Sequence, residues 1–184
     1  MENQDEIIYI KRILDGETNL YSYFINQHSS SIYSLIFPIV RIKEDAEELT
    51  QDAFLKAFRK LDTFKGECSF STWLFRIAYN TAVSATRKQK FIFPAIDDSV
   101  LETVSENEME TLFEQDQDEA LLQKLELAID KLNAEERTLI TLFYMENKSI
   151  AELKIILNLS PENIKVKLFR TRKKLYVLIN NQML

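Results

Sequence analysis

Glycine and proline are scarce, with 2 and 3 copies in 184 residues. Strands need frequent turns and turns draw on these residues, so the scarcity argues for long helices. The single cysteine, Cys68, excludes an intramolecular disulfide and a multi-cysteine zinc cluster, and points to a reducing cytoplasm. The single histidine, His28, has no cysteine or carboxylate at metal-ligand spacing and reads as core or surface filler. No apolar run approaches the roughly 20 residues that a membrane-spanning helix needs. The start, MENQDEIIYIKR, is acidic and unlike a signal peptide. There is no Gly-rich phosphate loop and no nucleophile, base and acid set. Catalysis, a metal and a cofactor are therefore not expected.

What is present is a globular composition, 46% hydrophobic and 28% charged. The net charge of −6 is unevenly distributed. Ten acids and no Lys or Arg lie between Lys90 and Lys124; elsewhere 23 basic residues outnumber the other 19 acids. For a nucleic-acid binder the distribution matters more than the total, so DNA binding is permitted. The start of the acidic stretch, FIFPAIDDSVLETVSE, lacks helical periodicity and reads as a linker. The expected organisation is all-α: a helical domain over 1–93, an acidic linker over 94–117 and a helical domain over 118–184. No further domain is expected after Leu184.

In the first domain Ile7, Ile10, Ile13 and Leu14 recur at helical spacing, and Gly16 supplies a stop. A second helix is expected from near Thr18 with Leu20, Tyr23 and Phe24 inward, and a third apolar run, IYSLIFPIV, interrupted by Pro38. The clearest helix spans Glu44 to Leu61. Ala46, Leu49, Ala53, Phe54, Ala57, Phe58 and Leu61 form one stripe, with acids at its start and bases at its end. The loop TFKGECSFS then leads into a helix from about Thr72 to Lys90.

In the second domain Asn133 and Glu136 have the spacing of a capping box, and Ser149 caps a short helix. A break at Asn158, Leu159 and Ser160 follows, then Pro161 at a first helical position and a long basic helix to about Ile179. Two helices joined by a short turn, the second one basic, form a helix-turn-helix pattern. On the basic helix Ile164, Leu168, Thr171 and Leu175 mark the buried stripe. The opposite arc carries Glu162, Lys165, Val166, Phe169, Arg170 and Lys173. Lys and Arg suit phosphates and guanine edges, while Val and Phe suit thymine methyls. The N-terminal part of such a helix meets the bases, so Lys165, Val166, Phe169 and Arg170 suit base reading. Arg172, Lys173 and Lys174 suit phosphates. A solvated basic face is the alternative for this helix alone.

These motifs resemble the sigma factors of RNA polymerase. DAEELTQDAFLKAFRKL (45–61) resembles region 2.2, and FKGECSFSTWLFRIAYNTAVSATRK (64–88) resembles regions 2.3 and 2.4. The second domain, with Arg137, the Ser149-led helix and LSxxxIKVKLFRTRKKL, resembles region 4. Nothing but a linker between the two regions matches the small extracytoplasmic-function type.

The resemblance implies a subunit that binds core RNA polymerase and directs initiation at promoters by recognising their −10 and −35 elements. Asp45, Glu48, Gln51 and Asp52 would dock on the clamp helices of the beta-prime subunit, where carboxylates receive arginines through charge-assisted bonds. Phe64, Lys65, Gly66, Trp73, Arg76, Asn80, Arg87 and Lys88 would recognise and open the −10 element, joining aromatic stacking to positive charge. Trp73 and Phe75 read equally well as core residues. Lys165, Val166, Lys167, Phe169, Arg170, Arg172 and Lys173 would read the −35 element. Promoter DNA and core polymerase are the implied partners, an anti-sigma factor is a further candidate, and no membrane insertion is implied. At Lys154 the family usually has a small Ala, so either Lys154 points outward or the helix crossing differs. A helix-turn-helix regulator acting without polymerase would explain the C-terminal half, but not the LTQDAF and TWLFRIAYN segments.

Overall fold

The structure, a computed structural model, describes residues 2–86, 101, 104, 105 and 119–180. Helix α1 (Glu2–Leu14) buries Ile10 and Ile13, while Ile7 and Leu14 lie on its exposed side. Gly16, at φ 112°, turns the chain where a side chain would be strained. A short 3-10 turn (Thr18–Leu20) leads into α2 (Tyr21–Val40). Tyr21 and Phe24 face inward there, and Tyr23, expected inward, is largely exposed.

Helix α2 continues through Pro38, where a break was expected. A proline two residues from the helix end removes one backbone bond, and the burial of Leu35, Ile36, Ile39 and Val40 on both sides of it outweighs that loss. The helix stops at Arg41, which adopts the left-handed conformation (φ 61°) and donates its N–H to the Phe37 carbonyl at 2.8 Å. Helix α3 (Lys43–Arg59) buries Ala46, Ala53, Phe54 and Ala57, and leaves Phe58 at the surface. After a 3-10 turn (Leu61–Thr63), α4 (Phe70–Thr86) begins two residues earlier than expected. Ser69 explains this start, because its Oγ accepts from the Thr72 N–H at 3.1 Å.

Helices α5 (Glu119–Asp130) and α6 (Ala134–Ile140) open the second half. The Asn133 and Glu136 capping box is formed in full, with both bonds at 2.9 Å. The chain then widens into a π turn (Thr141–Met145) before α7 (Ile150–Leu157), which is capped by Ser149. Asn158 takes the left-handed conformation, and α8 (Pro161–Asn180) follows. The expected stripe of α8 is buried at all four positions, and Lys154 is exposed, which settles its direction as outward.

The two halves share one core. Helix α4 packs on α7, and α2 packs on α6, so buried side chains form a single cluster across both. Two arginines cross this boundary in opposite directions. Arg137 of α6 donates to the Pro38 carbonyl at 3.0 Å, one of the acceptors left open at the end of α2. Arg41, at that same end, donates to the Asp130 carbonyl and to its carboxylate at the end of α5. Each helix terminus thus has its open carbonyls met by a cation from the other half.

Candidate nucleic-acid and polymerase interface

Three surfaces carry the residues singled out in the sequence. On α3, Glu48 and Gln51 are exposed and Asp45 and Asp52 partly buried. Asp45 and Glu48 line a small hollow with Val40, Leu49, Ala85 and Thr86. Asp52 pairs with Lys56 at 3.3 Å, and Lys56 reaches the Thr81 hydroxyl of α4. Leu55 lies by helical position among Glu48, Gln51 and Asp52, and is 53% exposed. Sequence reasoning missed it. The available signal was a leucine off the apolar stripe of its own helix.

On α4, Trp73, Arg76 and Asn80 fall on one arc, with Arg76 and Asn80 exposed and Trp73 partly buried. Phe64 and Trp73 have ring centroids 5.4 Å apart, and Phe70 lies 5.8 and 5.7 Å from them. Phe70 rests on Phe24 of the core at 4.2 Å. The cluster therefore anchors two partly buried rings on a rigid base beside exposed Lys65 and Arg76. Gly66 turns the loop at φ 73°. Asn80 spends one amide hydrogen on the Arg76 carbonyl at 2.8 Å. Phe75 is core, under the ammonium of Lys148 at 4.5 Å. Arg87 and Lys88 lie outside the described residues. Burial, followed by Glu67, raises the Cys68 thiol above its ordinary pKa, which disfavours the reactive thiolate.

The opposite side of α4 meets the second half. Thr72 donates its hydroxyl to Glu152 at 2.9 Å, and Lys148 donates to the Ser71 hydroxyl at 2.9 Å. Burial works to raise the Glu152 pKa. The bonds from Ser149 and Thr72 and the charge of Lys148 outweigh it and hold the carboxyl below its usual value. Sequence reasoning saw Ser149 as a cap, but missed Lys148 and Glu152 as the grip on α4.

On α8, Lys165, Val166 and Arg170 are exposed. Lys167 is partly buried and paired with Glu135 at 3.0 Å. Lys173 lies over the Phe169 ring at 4.8 Å, and Arg172 is partly buried. Lys174, expected at phosphates, is instead buried and paired with Glu136 at 2.9 Å. Its position between Thr171 and Leu178 turns it toward α6, where Glu136 already holds the capping box.

Two family models divide the chain as these surfaces do: sigma-70 region 2 matches residues 24–92 and sigma-70 region 4 matches residues 122–175. An extracytoplasmic-function sigma factor of Bacillus subtilis, SigW, is 30% identical over 178 residues, spanning 90% of this chain and 92% of its own. The chain belongs to the extracytoplasmic-function sigma factors. The sigma-E factor of Escherichia coli K12 is 28% identical, over 94% of this sigma factor and 93% of its own length. Among solved structures, CnrH in complex with the cytosolic domain of CnrY shares the fold with a TM-score of 0.67, at 21% identity, covering 95% of this chain and 96% of its own. RpoE of Bartonella quintana, in complex with the anti-sigma factor NepR, aligns with a TM-score of 0.64, at 22% identity, covering 87% and 96%. This sigma factor is a polymerase-associated subunit for transcription initiation. A helix-turn-helix regulator acting without polymerase is not favoured, since region 2 would have no place in it. No helix among the described residues is long and apolar enough to cross a membrane.

Proposed function

We propose that this sigma factor divides its work among three surfaces, within domains spanning 1–93 and 118–184 and joined by the linker 94–117. The α3 face with Asp45, Glu48, Gln51 and Asp52 docks on the beta-prime clamp helices of core polymerase. Phe64, Lys65 and Gly66, with Trp73, Arg76 and Asn80 of α4 and with Arg87 and Lys88 beyond it, recognise the −10 element. Helix α8 reads the −35 element through Lys165, Val166, Lys167, Phe169, Arg170, Arg172 and Lys173. The observation that carries this reading is the α4 arc: half-buried rings fixed on a core phenylalanine beside exposed cationic and amide groups. That combination suits bases extruded from a duplex, which exchange stacking in DNA for stacking on protein.

The protein acts in the cytoplasm and by binding rather than by catalysis. Relatives of this fold occur in complexes with CnrY and NepR, and an anti-sigma factor is proposed as a partner here too. The deciding experiment is binding of the purified chain to core RNA polymerase, with Gln51→Ala/Asp52→Ala as the comparison. Tight binding lost in the double variant is the expected result. Equal binding by the folded variant would move the clamp contact off this face.

A further inference from the structure

The DNA-facing arc of α8 is bare at Lys165, Val166 and Arg170 but covered from Phe169 toward Val177. Val177 lies on the outward side of α8, away from Ile164, Leu168 and Leu175, yet it is only 6% exposed. Val104 of the linker covers it and is itself 7% exposed. Leu101 joins Val104 from one turn earlier in the chain, where its carbonyl accepts the Val104 N–H at 3.4 Å. Together they pack with Val177, Tyr176 and Phe169, forming a small apolar cluster separate from the main core. Phe169 belongs to the arc assigned to DNA, and Lys173 of the same arc lies over its ring.

The linker's composition fits this seat twice over. Leu101 and Val104 are the apolar anchors, and Glu102 and Glu106 stand beside them in the sequence. A helix whose outward residues include Lys165, Arg170 and Lys173 attracts such a segment for the same reason that it attracts phosphates. Apolar anchors fix the position; charge favours the sign.

We propose that the acidic linker is an intramolecular competitor of promoter DNA, seated on α8 through Leu101 and Val104 and displaced when the −35 element binds. The proposal rests on the reading of α8 as the −35 reader. Of the residues assigned to DNA, the linker packs on Phe169, so DNA and linker compete for that ring, and whatever holds the linker elsewhere also uncovers it.

The test uses the full chain in holoenzyme, with Val104→Cys/Val177→Cys built on Cys68→Ser so that one disulfide can form. The probe is a randomised duplex pool, with retained sequences read for an upstream −35 motif. Oxidation is expected to lock the linker down and abolish enrichment of that motif, and reductant to restore it. Leu101→Ser/Val104→Ser, which leaves the main core untouched, is expected to raise retention by at least about tenfold, the scale of two lost aliphatic contacts. Failure of the two cysteines to join would overturn the contact. A locked form that enriches the motif as well as the reduced form would overturn the competition, leaving α8 as the reader. Enrichment that survives Arg170→Ala and Lys165→Ala in the reduced protein would instead remove α8 from DNA reading, and the proposal with it.

Discussion

Arg137 is the most constrained side chain at the boundary between the halves. It is 4% exposed and donates to the carbonyls of Pro38, Leu132 and Asp130. Burial, and then the charge of Arg41, lower its pKa to about 10, so it remains a cation at neutral pH. Arg137→Ala is expected to destabilise the protein by about 2–4 kcal/mol in urea unfolding, because buried acceptors lose their donor. Lysine should not rescue it, since one ammonium lacks the planar fork that reaches carbonyls on separate elements. The sequence showed Arg137 only as part of a family pattern. Its burial was not legible there, because an acceptor 99 positions away leaves no local trace. His28 offers a pH handle at the same scale. Burial first, and then Lys148, depress its pKa below 6.5, with Glu6 lying 3.9 Å away. The folded state therefore binds the proton less readily than the unfolded chain. Its contribution to stability is complete above about pH 6.5 and is lost as the pH falls through the depressed value. Thermal melts of His28→Gln should show a flatter decline below pH 6.5 than the parent protein.

At the scale of the helix, features set by neighbours in the chain were legible. The two capping residues Asn133 and Ser149, the stop at Gly16 and the start at Pro161 all appear where their chemistry puts them. Pro38 misled because tertiary burial around it, invisible in a local pattern, outweighs its missing N–H. On α8 the stripe of apolar residues was readable from spacing, but the pairing of Lys167 and Lys174 with glutamates of α6 was not. That pairing separates the basic residues into free and engaged groups. Arg170→Ala is expected to weaken −35 binding by about 1–3 kcal/mol and relax preference at one base pair, as read from promoter titrations. Lys173→Ala, at a residue suited to phosphate, should weaken all sequences alike and lower the salt slope by about 1. Equal effects of Lys174→Met on affinity and stability would mark that residue as DNA-facing, contrary to its buried pairing.

At the scale of the whole molecule, the docked halves and the proposed reading of two promoter elements place opposite demands on the chain. Elements centred about 25 base pairs apart are separated by roughly 85 Å of duplex. A single packed body of this length has a radius of gyration of only about 16 Å. The halves must therefore part when both elements are engaged, and the chain between Thr86 and Glu119, about 32 residues, can span roughly 105 Å when extended. The grips that must release are Thr72 on Glu152, Lys148 on Ser71 and the crossed arginines. Lys148→Glu sets a carboxylate against Glu152 and the Phe75 ring, and is expected to raise the radius of gyration of the free chain in small-angle scattering. An unchanged radius would mean that these contacts contribute little to closure.

The covered face of α8 has a consequence for how such a subunit is distributed inside a cell. A chromosome offers on the order of a million or more non-specific sites to any bare basic helix, and weak adsorption to each would remove most free copies from circulation. With the linker seated on Phe169 and Val177 while Lys165 and Arg170 stay exposed, an unassembled copy adsorbs less readily and more of it stays available to collide with polymerase. Occupancy of the genome by this protein would then track the supply of enzyme rather than the supply of DNA.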